Sequence, residues 1–227
     1  MNILITGCSR GIGRGFLESY LKQKEVKTVW AVTTNAKQLD GLVSLYPEKL
    51  KVVPAQISEE SSKKQIVSAL GENVLDLLIN CAGTYPKEPD EFTEIRVASL
   101  DEGMRVNTFS AFLVTQACIP SLEKSKKPKV VSITSLMGSI DDNTSGGSYA
   151  YRMSKAALNM FHKGFSVDFP KIISAVLHPG WVQTDMGGKQ APTTIDQSVS
   201  GMMKVIENLS AKQSGHFYDY EGDEIRW

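Results

Sequence analysis

The chain is poor in the residues that would commit it to a metal site or a disulfide scaffold. Its three cysteines (Cys8, Cys81, Cys118) and three histidines (His162, His178, His216) are scattered along 227 residues. They have neither metal-ligand spacing nor the density of a disulfide framework, so reduced thiols and no metal are expected. An excess of charge is also missing. Acidic and basic residues balance at 25 each, so no overall field draws the chain to nucleic acid or to an anionic membrane surface. No apolar run approaches the ~20 residues that cross a bilayer. The opening "MNILITGCSRGIG" lacks both the basic stretch and the long apolar core of a signal peptide. Without export the sequons at Asn143 and Asn208 carry no weight. The expectation is a cytoplasmic protein that handles a small molecule, with no nucleic-acid or membrane partner. No repeat, low-complexity stretch or long linker divides the chain, and its length suits one well-cored domain over 1–227.

What is present is a regular alternation. Short β-rich runs ("NILIT", "TVWAV", "LKVVP", "LDLLIN", "KVVSIT", "IISAVL", "GHFYDY") are separated by helix-length segments at 11–23, 36–45, 59–70, about 100–124, 150–168 and 194–209. Continuous apolar strands joined by crossover helices imply a doubly wound α/β fold, a parallel sheet of about seven strands with helices on both faces. Ser58 ahead of "EESSKKQ" suggests a capped helix start. The "KSKKP" run at 124–128 suggests a helix stop carrying positive charge rather than a binding patch.

"SYAYRMSKAALN" at 148–159 places two tyrosines upstream of one lysine. On a helix, side chains four apart share a face and those six apart point to nearly opposite sides. Tyr151 and Lys155 can therefore work together, whereas Tyr149 and Lys155 cannot. A phenol of pKa ~10 is a poor proton donor and a poor base at neutral pH, and an ammonium one turn away lowers that value. Spacing alone favours an ordinary helix-surface pair, so context must decide.

That context begins with "TGCSRGIG" at 6–13, where the first strand turns into the first helix. Gly7 permits the tight turn, Gly11 lets the backbone approach a pyrophosphate, and Gly13 allows close helix–strand packing, while the helix N-terminus attracts the anion. The motifs "TGCSRGIG", "NCAG" (80–83), "VN" (106–107), "SITSLMG" (132–138), "YRMSK" (151–155) and "HPGWVQT" (178–184) stand in the order found in the short-chain dehydrogenase/reductase family. The sequence resembles the classical type of that family along nearly its whole length. Within it, the loop after Ser135, "HPGWVQTDMGG" and the ending "GHFYDYEGDEIRW" most resemble the subgroup containing the sniffer carbonyl reductase and the bacterial C-factor proteins.

The resemblance implies a single-domain Rossmann fold, with a cofactor-binding part at 1–135 and a catalytic and substrate-binding part at 136–227. It implies that Tyr151 is the general acid/base and that Lys155 lowers its pKa and bonds the nicotinamide ribose. Ser135 would bond the substrate carbonyl, and Asn107 would hold a water in a proton relay through Lys155. Cofactor contacts would come from Gly7, Ser9, Arg10, Gly11, Ile12 and Gly13, from Thr33, Gln56 and Ile57, and from Asn80, Ala82 and Gly83. Further contacts would come from Pro179, Gly180, Val182 and Thr184, beside Tyr151 and Lys155 themselves. The activity implied is NADPH-dependent reduction of an aldehyde, ketone or quinone. A second reading, also attached to the subgroup, is an NAD(P)-binding signalling protein whose output is partner binding.

Several features depart from the family pattern. Ser135 stands further from either tyrosine than is usual there, so "GSIDDNTSGGS" looks like an insertion over the substrate pocket. Ser139 and Ser148 are the other serines nearby, but Ser135 ends the strand that would present it at the sheet's carboxyl edge. Gln56 replaces a common aspartate and could accept the adenine amine bond through its amide oxygen. At the end of the second strand "VTTNAK" carries no acid to repel a 2′-phosphate, and Arg10 stands in the glycine loop. NADP(H) is therefore favoured over NAD(H), with Thr33 or Thr34 and Lys37 as further phosphate partners and a merely solvated Arg10 as the alternative. Cys8 and Cys81 would close neighbouring strands, so their oxidation could obstruct the cofactor groove; two inert packed residues are the alternative. The glycine-rich 185–193 segment and Trp181 would border the substrate. Met153, Ala157, Met160, Phe161, Gly164 and Phe165 point away from Tyr151 and Lys155. They ask for a second neighbour, either another helix of the chain or a homodimer partner.

Overall fold

A computed structural model describes all 227 residues. Seven strands, β1 (Asn2–Thr6), β2 (Thr28–Thr33), β3 (Leu50–Pro54), β4 (Leu77–Asn80), β5 (Lys129–Ile133), β6 (Ile173–His178) and β7 (His216–Asp219), form one parallel sheet in the order β3-β2-β1-β4-β5-β6-β7. The inner strands β1, β4 and β5 are buried almost throughout, as continuous apolar runs covered on both faces must be. The edge strand β3 is only half covered, and its final Pro54 pairs with Thr33 at the sheet margin, where a missing N–H costs no ladder bond.

The helices are α1 (Gly11–Lys22), α2 (Asp40–Leu45), α3 (Ser62–Leu70), α4 (Val97–Gly103), α5 (Ser110–Leu122), α6 (Tyr149–Asp168) and α7 (Ile195–Asn208). One face of the sheet packs against α1 and α7 through Phe16, Leu17, Val199 and Met202 in a core of 24 buried residues. The other meets α3, α5 and α6 through Ile66, Val114 and Phe165 in a core of 16. No helix is long and apolar enough to cross a membrane.

Two local expectations need correcting. Ser58 caps nothing: its hydroxyl accepts from Gln56 Nε2 at 2.8 Å, and α3 begins four residues later at Ser62. The helix expected over about 100–124 is three segments, α4, a π-helical turn at Met104–Phe109, and α5. The "KSKKP" run lies beyond the end of α5, and there Lys124 pairs with the exposed Glu72.

Strand order reverses between β1 and β4, and their carboxyl ends part to leave a crevice, the usual ligand position in an open α/β sheet. The Thr6 hydroxyl accepts from the amides of Cys81 at 3.1 Å and Ala82 at 3.3 Å, which fixes the two strand ends relative to one another. At Gly7, with φ +67°, an added Cβ would lie 2.6 Å from Ala82 Cα. Only glycine permits both that conformation and that approach.

Candidate active site

The crevice is a groove of about 840 Å³ running along the carboxyl edge of the sheet. Gly7, Ser9, Arg10, Gly11, Ile12 and Gly13 form one wall, at the start of α1. No side chain caps that helix, so its first amides are free to face a ligand. A Cβ on Gly13 would lie 2.3 Å from the Gly7 carbonyl oxygen, so the turn and the helix close on each other only because this residue is glycine. The charged lining consists of Arg10, Lys155, Lys189 and Asp185. Three cations against one carboxylate, beside uncapped amides, suit an anionic dinucleotide, and the volume lies within the range of cofactor sites. Thr34 lines the groove near the end of β2, and no acid does so there.

Tyr151 and Lys155 stand on the opposite wall, one turn apart on α6. The Lys155 ammonium donates to the Ile133 carbonyl at the end of β5 (2.8 Å) and lies 5.6 Å from the centre of the Tyr151 ring. Burial lowers the lysine pKa to about 8, because desolvation disfavours the charged form. The expectation that Lys155 lowers the Tyr151 pKa is not met in this geometry. Burial pushes the phenol up to about 12, the neighbouring Ser135 side chain pulls the other way, and Tyr85 adds to the rise. The ammonium is spent on Ile133, and the phenol is almost fully buried, at 9 % exposure. Desolvation therefore outweighs the distant cation.

Ser135 follows β5 and caps a short 3-10 turn, its hydroxyl accepting from Met137 N at 3.2 Å. The other two serines are engaged elsewhere. Ser139 donates to the Arg226 carbonyl (2.7 Å), and the Ser148 hydroxyl bonds the Tyr85 hydroxyl (2.5 Å). Asn107 sits in the π-helical turn, where Oδ1 accepts from Thr84 N at 2.7 Å and Nδ2 donates to Thr84 O and Ser154 Oγ. A Cβ on Gly83 would lie 3.2 Å from Asn107 Oδ1 and 3.7 Å from Lys155 Nζ. This glycine therefore keeps the path between the asparagine and the lysine open.

Gln56, Ile57, Ala82, Gly83, Pro179 and Thr184 also line the groove. Four residues assigned to the cofactor do not. Thr33 is buried and its Oγ1 accepts from Asn35 N, so the neighbouring Thr34 takes the groove position. Asn80 is buried, with Nδ2 on Thr115. Gly180 packs on the Tyr220 ring, and Val182 is buried in a bridge to Thr193. Sequence reading missed Thr84, Ser110, Gln183 and Ile195, which line the groove; Gln183 lies inside "HPGWVQT", and the other three belong to no quoted motif. For Thr84 the signal was its place directly after "NCAG".

Over the groove the rim is aromatic and open. Tyr85 lies against Tyr151 with ring centres 4.6 Å apart, and Tyr149 lies against Phe92 on the other side of α6's first turn. Ser148, just before α6, is the only non-glycine residue with positive φ (+50°), a conformation that costs on the order of 1 kcal/mol. The inserted loop is held by the chain's last residues: Asp141 N donates to Trp227 O at 3.1 Å, and Arg226 pairs with the Asp141 carboxylate at 3.4 Å. Trp181 and Met186 are each about half exposed. Across the mouth Arg10 pairs with Asp185 at 2.9 Å, both side chains more than three-quarters exposed.

The cysteines do not act as a pair facing the groove. Cys81 lines it, but Cys8 is wholly buried with its thiol on the Ile5 and Val32 carbonyls, and burial raises both thiols to about 12. A thiol held protonated is a poor nucleophile. On α6, Phe161 and Phe165 find their neighbour within the chain, Phe161 meeting Phe112 of α5 edge-on at 5.4 Å. Met153 and Met160 stay exposed.

Comparison with known proteins agrees with this architecture. Residues 1–194 match the short chain dehydrogenase family model. The NADPH-bound carbonyl reductase from chicken fatty liver superposes with a TM-score of 0.92 at 35% identity, covering 100% of this chain and 98% of that one. The carbonyl reductase Sniffer of D. melanogaster superposes at 0.89 with 31% identity, covering 100% and 99%. The C-signal protein of Myxococcus xanthus is 43% identical over 155 residues, 67% of this chain and 93% of that protein. With a family match over most of its length and a glycine-turn groove at the sheet's switch point, the chain belongs to the short-chain dehydrogenase/reductase family of NAD(P)-dependent oxidoreductases.

Proposed function

We propose that the protein reduces a carbonyl compound to an alcohol with NADPH, and that Tyr151 delivers the proton. The observation that carries this reading is the placement of Tyr151 and Lys155, one helical turn apart, on a groove wall opposite the glycine turn, with Ser135 beside the phenol just behind that wall. A bound reduced nicotinamide supplies the hydride. The chain's own part is then to hold the substrate oxygen and give it a proton. Ser135 donates to that oxygen as negative charge develops, and Tyr151 transfers its phenolic proton to it. Lys155, whose proton is loosened by burial to a pKa of about 8, stands one turn behind to restore it. Asn107 has one lone pair of Oδ1 left to position a water on the far side of Lys155.

Arg10 would recognise the 2′-phosphate of NADPH by leaving Asp185, which makes NADP(H) the favoured cofactor. Residues 1–135 then mainly serve the cofactor, while 136–227, joined by Asn107 and Ser135 from the first part, serve the proton chemistry and the substrate, an aldehyde, ketone or quinone. The exposed stripe of Tyr149, Met153, Met160 and Val167 on α6 favours a second copy of the chain as its cover, to be checked by light scattering. The test of the activity is NADPH oxidation with menadione, benzaldehyde and cyclohexanone for wild type and Tyr151→Phe. Turnover with at least one acceptor, reduced ~100-fold or more in the variant, is expected.

The likeness to the C-signal protein favours a second reading, signalling by partner binding in the nucleotide-bound state. Tight NADPH binding without turnover on any acceptor would favour it over the reductase.

A further inference from the structure

Tyr151 and Lys155 continue along α6 into Asn159, one turn further on the same face. Asn159 is 3 % exposed and makes two side-chain bonds, both to the segment that carries Ser135. Its Oδ1 accepts from Thr134 Oγ1 at 2.7 Å, and its Nδ2 donates to the Gly138 carbonyl at 3.1 Å. The two partners bracket Ser135, one directly before it and one three residues after. Gly138 lies so close to α6 that a Cβ there would sit 2.9 Å from both the carbonyl carbon and the Cβ of Lys155. The loop therefore rests on the helix at the lysine and is fastened at the asparagine.

We infer that Asn159 is a positioning residue for the reaction: by holding the 134–138 turn on α6 it sets the reach of Ser135 to Tyr151. This rests on the assignment of Ser135, Tyr151 and Lys155 to carbonyl reduction. The serine and the tyrosine come from elements separated by the inserted loop 139–148, which is fastened at one end to the chain's last residues and at the other to Arg152 on α6. Asn159 bridges the turn and the helix directly, without the loop between them. An amide suits the task because it offers an acceptor to the threonine hydroxyl and a donor to the backbone carbonyl at once. Buried, with its oxygen and its nitrogen each bonded, it also specifies one arrangement. Loosening the turn lets Ser135 drift from its place beside Tyr151, where both must reach one carbonyl oxygen, a misplacement that costs turnover rather than cofactor binding.

His162, one turn beyond, provides the control. Its ring nitrogens bond Ser174 Oγ (2.8 Å) and Ser132 Oγ (2.5 Å), so it fastens α6 to β6 and β5 without touching the turn. The experiment measures kcat and KM for NADPH with menadione for wild type, Asn159→Leu, Thr134→Val, His162→Gln and Tyr151→Phe. Thermal melting and NADPH binding by tryptophan quenching verify that each is folded. Asn159→Leu is expected to lower kcat roughly ten-fold or more with little change in KM for NADPH. Thr134→Val, which removes one of the two bonds, should do the same to a smaller degree and decides the matter if Asn159→Leu does not fold. His162→Gln should lower the melting temperature and leave kcat near the wild-type value. Folded Asn159→Leu and Thr134→Val with the wild-type kcat, or a kcat lowered equally by His162→Gln, would overturn the inference. Turnover that survives Tyr151→Phe would instead overturn the assignment beneath it, and the inference with it.

Discussion

The floor of the groove and its rim are built on opposite principles. On the floor, the side chains at the reacting position and directly behind it are tied to the main chain. Lys155 bonds Ile133, Asn107 bonds Thr84, and Asn159 bonds Gly138, each of the three below 5 % exposure. At the rim, Ile140 is 78 % exposed, and the Arg10–Asp185 pair stands in solvent. A reaction that is the same for every carbonyl needs a fixed geometry, whereas recognition of differing carbon skeletons tolerates a surface that adapts. The stiffness lies where proton and hydride must meet, and the open surface lies where substrates differ.

The largest test of that contrast is Lys155→Met. Turnover should fall by about 1,000-fold, within the span of a lost acid–base contribution. Stability at pH 7 should nevertheless rise by about 2 kcal/mol, because the ammonium is held against its desolvation. The sign follows from a folded pKa of about 8 set against an ordinary value of 10.5. Below pH 8 the lysine is charged in both states and the fold bears the full cost. Between 8 and 10.5 stability climbs, and above 10.5 the cost is gone. Urea melts of both proteins at pH 7 and pH 10 should therefore converge at the higher pH, and a variant less stable than wild type at pH 7 would show that the floor is not strained at this point.

A smaller effect is expected in acid, and it concerns only the floor. His162 and His178 are held neutral, with pKa values lowered to about 3 and about 4 by burial. Above pH ~6.5 neither form of the chain protonates them. As the pH falls from there toward 4 the unfolded chain takes up protons that the fold refuses, and stability drops by up to two protons' worth of slope. His162→Gln should flatten part of that drop in melting temperature, and an unchanged acid slope would mean that other groups drive it.

The rim should respond most weakly. Arg10→Ala should weaken NADPH binding by about ten-fold and leave NADH nearly untouched, since a 2′-phosphate contact is charge-assisted. Asp185→Asn should tighten NADPH by ~2-fold at low salt and not at high salt, as expected of an exposed pair. Equal losses for both cofactors in the Arg10 variant would make the arginine a rim strut rather than a phosphate reader.

How far the sequence carried this picture depended on the range of the interaction. Periodicity and apolar runs are local, so the alternating strands and helices and the Tyr151–Lys155 face were legible in "SYAYRMSKAALN". The glycine turn was legible because three glycines at one strand end have few other uses. Positions decided by side-chain parity were harder. Thr33 and Thr34 are adjacent and chemically identical, and only the pleat at the end of β2 places the second in the groove. Contacts between distant segments left no pattern at all, such as Ser139 with Arg226 or Thr134 with Asn159. The pKa of Tyr151 was misjudged because spacing reports the cation but not the burial that opposes it.

The widened turn at Met104–Phe109 has one more consequence. There the amide of Ser110 reaches back five residues to Arg105, not four, leaving a helix overfull by one residue beside the most protected lysine in the molecule. Such a stretch forms less favourable backbone bonds than the α-helices on either side, so its amide protons should exchange with deuterium ahead of those in α5 and in the buried half of α6. Asn107 sits in this stretch, so the asparagine beside the buried lysine belongs to the least tightly wound part of the helical run.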